Sequence, residues 1–309
     1  MSRVTVIMPV YNGGKYIKDA IQSILDQTYP DFTLLCIDDC STDESLDIIR
    51  TFHDDRIQII QNKSNRGIAY TRNRGLDLAE TEYIALLDND DVAMPYRLEH
   101  EVEFLDANLE IQVVGGHQRQ IDGEGKDLNK QWSVYLNPAY IAAYLLLNNT
   151  IANGTTMFRK AFIEKHKIRY KDHMYGTEDY EFWVQCSLKG RIQNLDEVFL
   201  LWRVAGQNET FYRMNQFETV RKEALYKIRN HALTAIGINL THEKLLLLGR
   251  VFYDDGVVDN LEDLEMLYRV LKEISDQALI LNLDHSREII TMCRKRFGEK
   301  VGKAFFLWE

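Results

Sequence analysis

Acids gather at two points in this chain where buried strands should end. Asp88-Asn89-Asp90-Asp91 follows the apolar run Tyr83-Ile84-Ala85-Leu86-Leu87, and Asp38-Asp39 follows Leu34-Leu35-Cys36-Ile37. Open α/β sheets bind ligands beyond the carboxyl ends of their strands, so both clusters fall where a site belongs. Asp88 and Asp90 carry the oxygen donors that hard cations such as Mg²⁺ or Mn²⁺ take, and a protein commonly supplies only one or two of them, leaving phosphate and water to complete the shell. The same acids, lying just before Pro95, could instead cap a helix. A third acidic run, Glu178-Asp179, opens a helical stretch in Gly176-Thr177-Glu178-Asp179-Tyr180-Glu181. Carboxylates there suit a general base or simply the positive end of a helix dipole.

The elements that must hold these acids alternate in type, as in βαβ units feeding a mostly parallel sheet. Strands are expected at Val4 to Met8, Thr33 to Ile37, Ile57 to Gln61, Tyr83 to Leu87 and Ile111 to Gly116. Between them fall helices at Lys15 to Gln27, from Ser41 onward, at Ile68 to Ala79, and from Met94-Pro95-Tyr96 to Leu105. Ser41-Thr42-Asp43-Glu44 has the spacing of a capping box. From Gly123 the pattern reads as a loop, followed by a helix at Pro138 to Leu147, a strand at Thr155 to Phe158, a helix at Asp179 to Lys189 and a strand at Phe199 to Val204. Past Gln207 only helical periodicity remains. The expected division is an α/β domain over 1–209, with halves at 1–116 and 117–209, and a helical subdomain over 210–309.

Composition narrows the function classes. The 309 residues are 45% hydrophobic, enough for a sizeable core, and the net charge of -10 with pI near 5.4 gives no basic footprint for nucleic acid. No apolar stretch is long enough to span a bilayer, and Val4-Thr5-Val6-Ile7-Met8 is too short for a secretory signal, so a cytoplasmic location is expected. Cys36, Cys40, Cys186 and Cys293 lack metal-site spacing and read as reduced thiols. Gly13-Gly14 does not open a G-x-G-x-x-G loop, which argues against a dinucleotide enzyme.

Three segments in order carry a resemblance: Val6-Ile7-Met8-Pro9-Val10-Tyr11-Asn12, Ile37-Asp38-Asp39-Cys40-Ser41-Thr42-Asp43, and Asp88-Asn89-Asp90-Asp91. Together they resemble the family 2 glycosyltransferases, and the likeness runs from Val4 to about Arg203. The resemblance implies a GT-A-like (Rossmann-like) α/β fold with a mostly parallel sheet flanked by helices, here followed by an α-helical C-terminal extension. It implies inverting transfer of a sugar from a nucleotide sugar, mostly a UDP-sugar, to a glycan or lipid-linked saccharide, in the assembly of a surface glycan and with a divalent metal (Mn²⁺ or Mg²⁺).

By the same match, Asp90 is a direct metal ligand, and Asp88 contacts the metal's shell or the ribose. Pro9, Tyr11, Asn12, Asp39, Arg72 and Asn89 line the nucleotide, with Asp39 accepting the uracil imino N–H and Tyr11 covering the base. Arg72 comes from Ala69-Tyr70-Thr71-Arg72-Asn73-Arg74-Gly75, which, after Asn65-Arg66-Gly67, resembles the family's N-x-G and A-R-N-x-G segments. Asn153 and Gly154 line the donor sugar, Asp179 is the catalytic base, and Glu178 orients the acceptor. Read on residue types alone, Asp38 could cap a helix, Tyr11 could be an interfacial core residue and Arg72 a solvated surface group.

One departure stands out. Many relatives follow the last strand with Tyr-Arg-x-His, whereas this chain has Trp202-Arg203-Val204-Ala205. The chain's end, Arg294-Lys295-Arg296, Lys300 and Lys303 before Phe305-Phe306-Leu307-Trp308, suits either peripheral contact with a membrane or a packed terminal helix. Two further function classes stay open at this point. One is a phosphohydrolase with Asp88 as nucleophile and Asp90 as acid/base; the other is a nucleotide-sugar binding protein without turnover.

Overall fold

The computed structural model describes residues 2–174, 176–204, 218–252, 258 and 260–307, with side chains except at 218 and 303–307. Ala205, Gln207, Asn208, Thr210 and the side chains of the Phe305-to-Trp308 run lie outside the described residues. By compactness the chain forms two units. One comprises Met1–Leu136, Ile151–Asp172 and Lys189–Tyr212, the other Asn137–Thr150, His173–Leu188 and Arg213–Glu309.

The first unit is built on one sheet. Its first half is β1 (Val4–Val10), α1 (Ile17–Leu25), β2 (Phe32–Asp38), α2 (Ser45–Arg50), β3 (Ile57–Gln61), α3 (Ile68–Leu78) and β4 (Tyr83–Leu86). These strands lie in the order β3-β2-β1-β4, all parallel. The chain moves outward from β1 through β2 to β3, then returns to the other side of β1 as β4. That reversal creates the crevice between the carboxyl ends of β1 and β4 in which α/β sheets bind ligands. β1 is buried at all seven positions, because a central parallel strand is covered on both faces. α3 lies close against it through Gly75, where a Cβ would meet Ile7 Cγ2 at 2.6 Å and Ile37 Cδ1 at 3.1 Å.

The sheet then turns mixed through β5 (Val92–Ala93), α4 (Arg97–Ala107), β6 (Ile111–Ile121), β7 (Asp127–Trp132), β8 (Met157–Arg159), α6 (Lys160–His166) and β9 (Arg191–Arg203). β8 pairs antiparallel with both β4 and β6, β6 runs parallel to β9, and β5 closes the far edge on β9. Three kinds of departure from the sequence reading follow. β6 and β9 extend well beyond the short strands expected, because each satisfies the other's backbone along its length across three register shifts. β5, β7 and α6 were not expected; β7 is polar and reads as a loop until β6 pairs with it. The capping box does not form: Ser41 Oγ accepts the Asn12 N–H, and α2 starts only at Ser45.

The second unit is helical: α5 (Pro138–Leu145), α7 (Glu178–Ser187), α8 (Glu218–Ala235), α9 (His242–Val251), α10 (Leu261–Ile280) and α11 (Ser286–Leu307). Asn137, Thr241 and Asn260 cap three of these by accepting the N–H three residues on. α5 packs on α7 and α11, and α7 on α8. Arg229 is fully buried among them, with Nε on the Leu147 carbonyl at 2.7 Å and Nη2 on that of Phe252 at 3.4 Å. Its charge therefore meets the negative ends of α5 and α9. Burial nonetheless lowers its pKa from the usual arginine value. Of the C-terminal basic set, Arg296 packs over Tyr144 and Phe252, and Lys300 is buried, so those two are withdrawn from the surface. No helix among the described residues is long and apolar enough to cross a membrane.

Candidate functional site

The ends of β1 and β2 are stitched together by side chains on their loops. Pro9 is buried on β1 opposite Ile37, and Tyr11 stands 44% exposed just past the strand end. Asn12 adopts a left-handed backbone (φ 50°), a conformation that Asn tolerates, and its Oδ1 accepts the Thr42 N–H at 2.8 Å. Gly13 N–H donates to Ser45 Oγ at 2.8 Å and Gly14 N–H to Asp43 Oδ2 at 2.9 Å. A Cβ on Gly13 would sit 2.3 Å from Asn89 Nδ2, so a side chain there would have to push the Asn89 amide aside.

Asp39 is buried at the end of β2 and holds the loop after β3. Its Oδ1 accepts from Asn62 Nδ2 at 2.6 Å, the Arg66 N–H reaches both oxygens at 3.0 Å, and Gly67 N–H reaches Oδ2 at 2.7 Å. Asn62 also binds Thr71 and Arg74 of α3, coupling the strand end to the helix. Asp38 accepts from Ser41 N–H and Gln61 Nε2, which makes it a loop brace. Arg72 is buried rather than a surface group; its Nη2 meets Asp88 Oδ1 at 2.8 Å, and its guanidinium lies over Tyr170. Asp39 thus organises β2 and α3, and Arg72 links α3 to the acid turn.

The acid turn itself is held from β9. Arg203 N–H donates to Asp91 Oδ1 at 2.9 Å and its Nε to the Asp90 carbonyl at 2.9 Å, while Nη2 pairs with Asp19 at 3.1 Å. Asp91 is buried; desolvation first, then the charges of Asp90 and Asp88, push its carboxyl well above the usual carboxylate range. Asn153 and Gly154 form a 3-10 turn before β8, and a Cβ on Gly154 would lie 3.6 Å from Asp91 Oδ2. Both side-chain polar atoms of Asn153 are buried without a hydrogen-bond partner among the described residues. Such groups in a native protein point to water or a ligand. Arg203→Ala strips the Asp90 carbonyl of its donor, and an expected cost of about 1–3 kcal/mol should appear as a lower urea midpoint at unchanged m-value.

Glu178 and Asp179 open α7 in the helical unit, with Glu178 buried and Asp179 half-buried. Asp179 Oδ2 accepts from Asn149 Nδ2 at 3.1 Å and Oδ1 from the Tyr180 N–H at 2.7 Å, so its carboxylate is oriented at both oxygens. Reading the sequence alone passes over Asn62, Asp91 and Arg203 as functional supports. Asp91 stood next to the pair chosen, and Arg203 next to the departure at Ala205; nothing local marks Asn62.

Asp88 and Asp90 offer carboxylate oxygens of the kind a hard divalent cation takes, while Asp91, buried with its carboxyl pushed up, is bound by the Arg203 N–H. No group of three or more His, Cys, Asp or Glu arranged to hold a metal occurs among the described residues. The protein would contribute Asp88 and Asp90, with the rest of the shell supplied by others.

Residues 5–167 match the profile described as glycosyl transferase family 2. An uncharacterised glycosyltransferase of Haemophilus influenzae is 32% identical over 82% of this chain and 81% of its own. Two solved structures are similar in fold. S. aureus TarS 1–349, in complex with UDP-GlcNAc, has TM-score 0.65 at 19% identity and covers 96% of this chain and 91% of its own. The mannosyltransferase PcManGT from Pyrobaculum calidifontis, with GDP-Man and Mn²⁺, has TM-score 0.59 at 17% identity, covering 99% and 88%.

Proposed function

The chain belongs to glycosyl transferase family 2 and is a glycosyltransferase, and on that premise we propose that it transfers a sugar from a UDP-sugar, with inversion, to a hydroxyl of a glycan or lipid-linked saccharide. One observation carries the donor half of the reading. Tyr11, Asp39 and Asp88-Asn89-Asp90 end three adjacent parallel strands, with Arg72 tying the last of them to α3. That membership leaves the phosphohydrolase reading without support.

Neighbours of this fold hold UDP-GlcNAc in one case and GDP-Man in another, so the base must be argued from residues. A carboxylate offers about four lone-pair sites. Asp39 already takes three N–H donors, one of them shared between its oxygens. Those donors make four contacts, so a place opens only where the shared Arg66 N–H settles on one oxygen, and a single place suits the imide N–H of uracil better than the two-donor edge of guanine. Tyr11 would cover the base face and Arg72 would stabilise negative charge near Asp88. The unpartnered amide of Asn153 would take a donor-sugar hydroxyl, beside Gly154. When bound at Asp88 and Asp90, a divalent cation neutralises charge on the departing diphosphate. Asp179 takes the proton from the acceptor hydroxyl as that oxygen bonds to the anomeric carbon and the bond to the diphosphate oxygen breaks; Glu178 orients the acceptor.

Calorimetric titration with UDP, GDP and CMP, in Mn²⁺ and again in EDTA, tests the reading. UDP is expected to bind at least about tenfold tighter than the others, a difference of about 1.4 kcal/mol, and only with metal. Equal binding of all three removes the role given to Asp39.

A further inference from the structure

β7 leaves all six of its residues, Asp127-Leu128-Asn129-Lys130-Gln131-Trp132, partly or fully in solvent, and it ends on Trp132 at 38% exposure. A large flat indole on a strand that, Leu128 apart, is otherwise made of amides and charges forgoes much of its burial free energy unless a ligand covers it.

The ribbon that carries it is fixed at both ends. Just beyond Trp132, His117 Nδ1 accepts the Val134 N–H at 3.1 Å while Nε2 meets Asp196 at 2.9 Å, and Asn194 Nδ2 donates to the Tyr135 carbonyl at 2.7 Å. At the hairpin tip, Arg203 Nη1 approaches the carbonyls of Asp122 and Gly123 at 3.4 and 3.5 Å. Arg119 and Asp127 bridge the two strands at 2.9 Å. Asn129, left-handed at φ 53°, stands where the β6–β7 register shifts, the geometry of a bulge, and bulges recur beside active sites because they re-aim the side chains that follow. An exposed aromatic held this way has little ordering entropy left to lose on binding.

Register ties the ribbon to the acid turn. Ile121 of β6 pairs with Arg203, the residue that holds Asp90 and Asp91, and Gln118 pairs with Trp132. The separation from Ile121 to Gln118 is three residues, about 10 Å along a strand. Cross-strand partners share a face, so Gln118 and Trp132 do too. A pyranose presents a face of C–H groups and an edge of hydroxyls: the indole suits the first, and the Gln118 amide, 8% exposed on the same face, suits the second, whereas Gln131 points to the opposite face and donates to Ser133 Oγ. The ribbon's Arg119, engaged by Asp127, Lys126 at the turn and Lys130 are matched by Asp122, Glu124 and Asp127, so it is not a basic patch for an anionic surface.

We propose that Trp132 is a stacking platform for a pyranose ring of the acceptor saccharide, with the Gln118 amide beside it on the same face. This rests on the transferase reading above and assigns the acceptor's contact surface. The test applies the full-length chain to an array of neutral hexose and N-acetylhexosamine oligosaccharides, as wild type, Trp132→Ala and Trp132→Tyr. The expected result is a set of saccharides bound by wild type, weakened about tenfold or more in Trp132→Ala and kept in Trp132→Tyr. The assignment falls if wild type retains no saccharide, or if Trp132→Ala binds as wild type does. It falls too if sedimentation shows a wild-type dimer that Trp132→Ala dissolves. UDP calorimetry on the same samples separates the two levels. Wild type that fails to bind UDP defeats the donor reading; loss of UDP binding in Trp132→Ala alone shows that the acid turn was disturbed and overturns the platform.

Discussion

Asp90→Asn is expected to remove the metal dependence of UDP binding and to lower sugar transfer by about 10³-fold, with the fold unchanged. Asparagine keeps the shape of the side chain and loses only its charge. The backbone carbonyl at 90, which holds Arg203 Nε, is untouched by the substitution, so the turn keeps its anchor on β9. What changes is the number of anionic oxygens that face a cation. Asp88 alone remains, and its Oδ1 is already engaged by Arg72. The measurement is paired calorimetry of UDP in Mn²⁺ and in EDTA, with thermal unfolding as a control. A variant that still binds UDP more tightly with metal than without it would show that the cation, if one is used, sits elsewhere. A variant that merely melts at lower temperature would assign Asp90 to the stability of the turn.

How much of this could be read before the structure depends on where each residue's partners lie in the chain. β1, β2 and β4 were legible because each is a buried apolar run, and the last two end abruptly in acids; local pattern and chemistry agree there. β7 was not, since Asp127-Leu128-Asn129-Lys130-Gln131-Trp132 has the composition of a loop and becomes a strand only through β6. The longer β6 and β9 were missed for the same reason: their polar halves are stabilised by each other, at a sequence distance no local pattern reports. Ser41 and Glu44 had the right spacing for a capping box, yet Asn12, 29 residues earlier, draws Ser41 into the strand-end stitch instead. Arg203 and Asp90, 113 residues apart, make the bond that fixes the acid turn, and Asn62 reaches back 23 residues to Asp39. The residues that carry chemistry were marked by type and place, whereas those that hold them were marked by tertiary contact alone. α5 and α7 show the same limit, because their helical pattern was plain in the sequence while their membership of the helical unit depends on packing with α8 and α11.

Asp179 tests the other half of the proposal, the proton. Asp179→Asn should lower kcat by about 10²–10⁴-fold, the usual contribution of a positioned general base, while UDP affinity and the donor KM stay within about threefold of wild type. The substitution is not silent structurally. An amide can face only one of the two donors that Asp179 now accepts, Asn149 Nδ2 and the Tyr180 N–H, with its oxygen, so a stability loss of about 1 kcal/mol is expected at the start of α7. Asn149→Ala separates the two effects, because it removes the same hydrogen bond and leaves the carboxylate. If Asp179 is the base, Asn149→Ala keeps most of its turnover and the acid limb of its kcat/KM profile, whereas Asp179→Asn loses that limb, having no carboxylate left to protonate. Should both variants lose activity in parallel with stability and keep the same pH profile, Asp179 is a helix-start residue and the proton goes to another group.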